Sequence, residues 1–534
     1  ANVEAIEVPG DMRTKLTRHV GALAGTVDRL LDEAAKQVPA ADTGRSAAAG
    51  RADATNLRQR TLTGIGWSGA TQVVGQLFQF GFSIALARLL TPADFGLVGM
   101  IAVFTGFATS LADFGLGAAI IQKPSPSQSH LNSVFWLNIA AGMLLTVLFA
   151  GVAPLISGFY HEPRLTLLTA ALASTFLLGS AGVVQDALLS KSINFRARFW
   201  IESTATFVSG IVAVGLALAG AGVWGLVGQL IVLSATRTGM LWLRSPWRPS
   251  WSFSRDTTRE LLGFARHMAA FNSIIYWENN IEKVAIGRLI GSVPLGVYNL
   301  AEGLMRTPST ALTTSAGDVM FPSISLIQTN VDAVRRVYLR SNRLIAAVTF
   351  PAMIGLLVVA EPLILSLFGE KWRDAIPLLQ LLCLAGLAQS VYNTSSWIYL
   401  SYRRPDLLLR SGIYAFAARL AGMLIGLHWG VLGIVSGYLV GVYACVLYPT
   451  WSAAGQLIGV RMIDLMRNVA APLFCAAAMG VTVWVVIGGL RGANMQVTRL
   501  LIGVPVGIAI YMLLTRLCWI QGWQDIQDLV RSRR

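Results

Sequence analysis

Two neighbouring apolar stretches carry charges that a bilayer interior tolerates only for a reason. Glu278, Asn279, Asn280, Glu282 and Lys283 fall in one stretch, and Glu302 and Arg306 in the next. An ionisable group at mid-membrane costs roughly 2.5–3.5 kcal/mol on insertion scales, so those that persist face a cavity or a partner. Read as one continuous helix, the first stretch puts Glu278 and Glu282 on one face, with Asn279 and Lys283 on the adjacent one. Glu302 and Arg306 have the same four-residue spacing. Glu282 and Glu302 each lie about eight residues from the turn between the stretches, a shared depth of about 12 Å, with Arg306 deeper. Carboxylates at one depth suit ion coupling. Lys283 and Arg306 suit an anion. Alternatively, Glu302 with Arg306, and Glu282 with Lys283 or Arg306, are structural pairs that neutralise one another.

Other polar residues inside apolar stretches extend the set. Gln72, Gln76 and Gln79 share one helical face, Asp113 lies in the following stretch, and Arg419 is far downstream. Packed around one cavity, Arg306, Lys283, Arg419, Gln72, Gln76, Asn279 and Asn280 would bind a polar cargo. Glu278, Glu282, Glu302 and Asp113 would couple to a proton or sodium gradient. Tyr276 and Trp277 would add aromatic faces beside them. Catalysis is not indicated. There is no Gly-x-x-x-x-Gly-Lys-Ser/Thr sequence and no nucleophile triad. The five histidines are scattered, and Cys383, Cys445, Cys475 and Cys518 sit in apolar runs, so neither a metal site nor a cofactor is expected.

The elements that hold these residues follow from composition. Hydrophobic residues make up 54% of the chain and charged residues 13%, against about 25% charged in a soluble domain. About fourteen apolar runs are long enough to cross a bilayer, at 64–90, 95–121, 135–156, 165–189, 199–218, 223–243, 264–290, 294–320, 344–368, 376–400, 407–427, 431–451, 470–490 and 500–520. The fold class is therefore an all-α polytopic membrane protein. With the N-terminus in the cytoplasm, the even-numbered connections carry roughly 23 Lys and Arg against about 7 on the opposite side. Both termini are then expected to be cytoplasmic. The net charge of +15 reads as this topology bias plus attraction to anionic lipid, with no nucleic-acid partner.

An internal repeat organises the runs. Ala85, Arg88, Leu89 and Gly96 recur as Ala285, Arg288, Leu289 and Gly296. Each copy ends an apolar run at an Arg, turns through small residues and re-enters another run. The expected organisation is a six-helix bundle at 61–243, a cytoplasmic linker at 244–263, a second six-helix bundle at 264–455, and two further helices with a basic tail at 456–534. Six spans per unit make this a parallel repeat. Arg88 and Arg288 read as snorkelling anchors or C-cap charges. Within 1–60, the apolar seam Leu16, Val20, Leu23, Val27, Leu30 and Ala34 predicts an amphipathic helix, followed by a basic linker and with no signal-peptide core.

The motifs Leu86-Ala-Arg-Leu-Leu-Thr-Pro-Ala-Asp-Phe-Gly-Leu-Val-Gly99, Ala112-Asp-Phe-Gly-Leu-Gly117, Ile286-Gly-Arg-Leu-Ile-Gly291, Leu295-Gly-Val-Tyr-Asn-Leu-Ala301, Phe321-Pro322 and Leu367-Phe-Gly-Glu-Lys-Trp372 carry a family resemblance. In order and spacing the chain resembles the Wzx-type polysaccharide-transport flippases of the multidrug/oligosaccharidyl-lipid/polysaccharide exporter superfamily. It departs from them in its long N-terminal tail and in Glu282-Lys283, where related sequences often have an Asp-Asn-like pair. The resemblance implies a bacterial inner-membrane protein whose cargo is an oligosaccharide repeat on a polyprenyl pyrophosphate. Membrane lipids, a polysaccharide polymerase and glycosyltransferases are the implied partners. A peptidoglycan- or teichuronic-type lipid flippase and a cation-coupled drug antiporter are the alternatives. A further one, from another class, is an assembly subunit that recruits partners through its N-terminal helix.

Overall fold

A computed structural model describes residues 46–112, 120, 126–192, 194–252, 273, 276–277, 279–490 and 496–518. The first half holds α1 (Ser46–Leu89), α2 (Pro92–Ala112), α3 (Gln128–Tyr160), α4 (Leu165–Ser180), α5 (Val183–Lys191), α6 (Phe195–Leu218) and α7 (Trp224–Arg244). The second half opens with α8 (Ile281–Leu289), α9 (Ser292–Leu326), α10 (Val331–Val358) and α11 (Ala360–Leu363). It continues with α12 (Ala375–Tyr392), α13 (Ser395–Ser401), α14 (Pro405–Gly426), α15 (Gly430–Val440) and α16 (Leu447–Ile458), and α17 (Met462–Gly489) and α18 (Gln496–Cys518) follow. Among the described residues there is no strand. The protein is an all-α, polytopic membrane protein.

Among the described residues, nine helical stretches are long and apolar enough to cross a membrane, or ten when α4 and α5, bent by 42°, count as one. The stretch from Asp406 to Ile458 has 53 residues, too many for one crossing of about 20. It folds back where Gly430 adopts φ 68°. There α14 lies along α15, with Gly422 and Gly426 against Gly437 and Gly433 at backbone contact, the small-residue packing that lets two helices approach in lipid. Among the described residues α8 is short and α9 carries Glu302 and Arg306, so neither passes a test of length and apolarity. The count is consistent with fourteen spans.

Local sequence explains the ends that matter. Thr91 and Asp94 bracket the start of α2: the Thr91 amide and hydroxyl donate to Asp94 Oδ2 at 2.9 and 2.7 Å, and Pro92 opens the helix. In the second copy Gly291, at φ 120°, makes the corresponding turn. Asn330 and Asn194 accept from the amides of Ala333 and Ala197 and so cap α10 and α6. Helix α1 runs without a break from Ser46, so the basic stretch before Gly64 is helical backbone rather than an irregular linker. The expected helix within residues 16–34 lies outside the described residues. The seventh run departs from expectation: Asn279 and Asn280 form a turn and α8 starts at Ile281, so 264–290 is not one unbroken helix.

The halves meet where both copies of the repeat turn, at the end opposite the basic connections, called here the distal end. Here α2 lies against α9. A Cβ on Gly96 would stand 1.8 Å from the Ser292 carbonyl oxygen, and one on Gly296 would stand 1.8 Å from that of Pro92. Only glycine permits this approach. One apolar core crosses the seam, joining Ala87, Met100 and Tyr160 to Ile286, Leu295 and Trp372.

Candidate functional site

Below that seam the helices part around a recess of about 380 Å³, lined by Asn279, Glu282, Tyr298, Glu302, Met305, Arg306, Leu382, Gln389, Arg419 and Tyr438. Five predicted residues, Asn279, Glu282, Glu302, Arg306 and Arg419, are thus brought together. Glu282 and Glu302 both line it, from α8 and α9 on either side of the Gly291 turn.

Glu302 is the hub. Its Oε2 accepts from Lys283 Nζ at 2.9 Å and its Oε1 from Arg306 Nη1 at 3.2 Å. The Glu302 and Lys283 side chains are 11% and 16% exposed, whereas Arg306 is 46% exposed. Arg306 therefore keeps most of its fork toward the recess, while Lys283 is held behind Glu302. Asn280 supports that arrangement and does not line the recess: its Nδ2 donates to the Tyr276 carbonyl at 2.9 Å, and its Oδ1 accepts from Lys283 at 3.3 Å. The structure chooses among the ion pairs left open by the sequence, since Glu302 takes both cations.

Across the recess Arg419 of α14 lies over the rings of Tyr392 and Tyr438, with its guanidinium 5.7 and 5.8 Å from their centroids. It also donates to the Tyr392 hydroxyl, and Gln389 donates to the Tyr438 hydroxyl. Sequence reading missed Gln389, Tyr392, Tyr438 and the buried Tyr298. Gln389 carried a usable signal, an amide inside an apolar run. The tyrosines did not, because an aromatic in a span is most often packing.

Other predicted residues go elsewhere. Gln72 and Gln76 lie on α1, which packs on α6, and neither lines the recess. Asp113 and Glu278 lie outside the described residues. Tyr276 and Trp277 close the seam instead of standing free: the Tyr276 hydroxyl donates to the Val103 carbonyl at 2.7 Å, and both rings pack on Phe107. Arg88 and Arg288 lie in the last turns of α1 and α8, where C-cap charges were expected, and they also reach across the seam. Arg88 donates across the seam to the Leu367 carbonyl at 2.7 Å and to that of Ser366, and Arg288 reaches His161 of the first half at 2.6 Å. Lys371 and Trp372 return the contact, donating to the carbonyls of Arg88 and Ala87 at 2.9 Å each.

A second polar cluster, unforeseen, joins α5, α6 and α7. Arg237 pairs with Glu202 at 2.8 Å and with Asp186 at 3.4 Å, and Arg198 stands 3.7 Å from Asp186. Its two cations and two carboxylates balance. Among the described residues no cluster of His, Cys, Asp and Glu could hold a metal ion.

A helical membrane protein in two halves, with a charged recess lined by helices of the second half, has the architecture of a transporter. Known proteins agree with that class. The sequence profile of the family described as polysaccharide biosynthesis protein matches residues 85–377, more than half of the chain, and the chain belongs to that family. It is 29% identical over 473 residues to the teichuronic acid biosynthesis protein TuaB of Bacillus subtilis (strain 168), covering 86% of this chain and 96% of the relative. It is also 29% identical over 391 residues to the lipopolysaccharide biosynthesis protein WzxC of Escherichia coli (strain K12), covering 72% and 79%. The fold resembles that of the lipid II flippase MurJ in an inward closed conformation, with a TM-score of 0.66 at 13% identity over 84% of this chain and 98% of the other.

Proposed function

We infer that the chain is a flippase that moves a polyprenyl-pyrophosphate-linked oligosaccharide repeat unit across the cytoplasmic membrane for polysaccharide biosynthesis. The observation that carries this reading is the charge balance of the recess. Arg306 and Arg419 line it opposite in charge to Glu282 and Glu302, and Lys283, held behind Glu302, adds a third cation among the described residues. One excess positive charge in a low-dielectric site suits a diphosphate, and two Arg groups can each offer a bidentate contact. Gln389, Asn279, Tyr298 and Tyr438 supply the amides and aromatic hydroxyls that sugars need. The recess receives the diphosphate end of the cargo, and the polyprenyl chain stays in lipid beside the bundle. A cation-exporting drug antiporter would need the opposite balance.

In this reading the basic end faces the cytoplasm, both termini lie there, and the distal end faces outward. The two halves, 61–243 and 264–455, rock against one another at the seam in alternating access. Glu302 neutralises Lys283 and Arg306 until the cargo diphosphate takes them. Glu282 and Glu302 are the groups placed to exchange a proton or sodium ion. Because TuaB and WzxC are named for different polymers, the diphosphate end of the cargo is better defined than its sugars.

The test is the leaflet distribution of the lipid-linked oligosaccharide in cells with wild-type protein, a deletion, Arg306→Ala or Arg419→Ala. Deletion is expected to trap the lipid in the inner leaflet, and each Arg variant to do the same at normal protein levels. A lipid that reaches the outer leaflet without the protein and without a substituting flippase refutes the reading.

A further inference from the structure

The cross-seam contacts of Arg88 and Arg288 are reciprocal. Each Arg ends the first span of its half and reaches the end of the third span of the other half. Arg288 meets the residues after α3, where Tyr160-His161-Glu162 follow in order. Arg88 meets the end of the ninth span, where the corresponding residues are Phe368-Gly369-Glu370. Both turns are left-handed in φ, 57° at His161 and 96° at Gly369. A Cβ on Gly369 would lie 3.9 Å from Arg88 Nη1. The two latches occupy equivalent places in the repeat, but their turns differ in ψ, 34° at His161 and 175° at Gly369, and so do their acceptors. Arg88, with no side chain at Gly369 in its way, uses backbone carbonyls, which do not titrate. Arg288 uses an imidazole.

We propose that His161 is a proton-binding site that controls separation of the halves at the distal end. The Arg288 Nη1 to His161 Nδ1 contact of 2.6 Å requires a lone pair on Nδ1, because a guanidinium only donates. The closed end therefore holds neutral imidazole with its proton on Nε2. A proton added to Nδ1 removes the acceptor and sets two cations against each other. Binding of the proton and closure of the seam exclude one another, so each disfavours the other by the same factor. Histidine is the side chain whose ordinary charge change falls in the range of about pH 5 to 8.

The surrounding charges do not restore the contact. Arg288 comes from α8, and Glu162 and Arg164 lie in the same turn as His161; the Glu162 Oε1 accepts from the Ser292 hydroxyl at 3.4 Å. His161 is exposed, so the site is open to the medium at that end. Its conformation is a second mark. A non-glycine residue at φ 57° occupies a position at which a helix usually ends in glycine, and glycine is what the twin turn has. The inference rests on the alternating-access reading above and not on the identity of the cargo.

The experiment uses the full chain in vesicles without cargo, on a cysteine-free background, with spin labels at Ala219→Cys and Trp429→Cys, one on each half at the distal end. Interspin distances are compared at about pH 8 and about pH 5. The wild-type population of separated distal ends is expected to rise roughly tenfold at the lower pH. That is the scale of losing one exposed charge-assisted hydrogen bond and adding one screened like-charge repulsion. His161→Gly fits the left-handed turn and reproduces the twin. It should fold normally and abolish the pH response, and His161→Asn should do the same. Arg88→Gln should raise the separated population at both pH values and leave the response intact. A wild type without a pH response overturns the proposal. So does a response that survives in both His161 variants, since it would belong to the carboxylates of the recess. Neither result bears on the leaflet assay, which tests the cargo reading separately.

Discussion

Replacing Glu302 with Gln strands two cations at once. Lys283, at 16% side-chain exposure, loses its 2.9 Å partner in a membrane-embedded site, while Arg306, at 46%, retains solvent. Removing one partner of a buried pair costs about 3–5 kcal/mol, whereas an exposed partner contributes about 0–1 kcal/mol. Glu302→Gln is therefore expected to destabilise by about 3 kcal/mol, nearly all of it from Lys283. Lys283→Met should cost less, about 2 kcal/mol, because Arg306 still neutralises Glu302. The double variant removes the pair together and should cost about 1 kcal/mol, which gives a coupling of roughly 4 kcal/mol between the two sites. Arg306→Gln alone should cost no more than about 1 kcal/mol. Reversible unfolding of the four proteins in bicelles measures all of these quantities. Additivity of Glu302→Gln and Lys283→Met within about 0.5 kcal/mol would refute the hub geometry. The order of the two single variants is a second check, since a simple isolated pair would make them equal.

Two further outcomes follow from the seam and the basic connections. Gly296→Val should prevent distal closure, because its Cβ would stand 1.8 Å from the Pro92 carbonyl oxygen and overpacking of that order costs about 1–3 kcal/mol or more; the Ala219–Trp429 interspin distance should lengthen at every pH. Outside the spans, the Arg404 guanidinium holds the Asp406 carboxyl below the ordinary aspartate range. The contribution of that pair is present above the ordinary aspartate value and is lost as pH falls through the depressed one. Arg404→Gln should shift the Asp406 titration upward in carboxyl-carbon NMR.

Much of this was legible from the chain because lipid leaves few choices. A run of some 20 apolar residues must be a helix, and a charge within it must find a cavity or a partner. That reasoning placed Glu282 and Glu302 at one depth, and the structure puts both on one recess. What a single run cannot reveal is which of its faces meets which distant helix. Arg419 was singled out, but its setting between Tyr392 of α12 and Tyr438 of α15 depends on a three-helix contact that no local spacing encodes. Asn280 illustrates a different limit. Its amide reads equally as ligand or support until the turn at 279–280 is seen, and the turn commits it to Tyr276 and Lys283.

For the alternating access proposed above, the repeat offers a physical basis. Its two copies place glycine against backbone at the seam, so the halves approach closely there through a narrow contact. The polar ties across it end mostly on carbonyls at helix ends, and these can exchange a side-chain donor for water once the seam parts. The recess lies just beneath, with Glu302 already neutralising Lys283 and Arg306, so the empty site does not leave buried cations without partners. A diphosphate entering it would replace a carboxylate rather than desolvate bare charge. The empty and loaded sites then differ little in electrostatic energy, which is the condition for a carrier to reorient in both states.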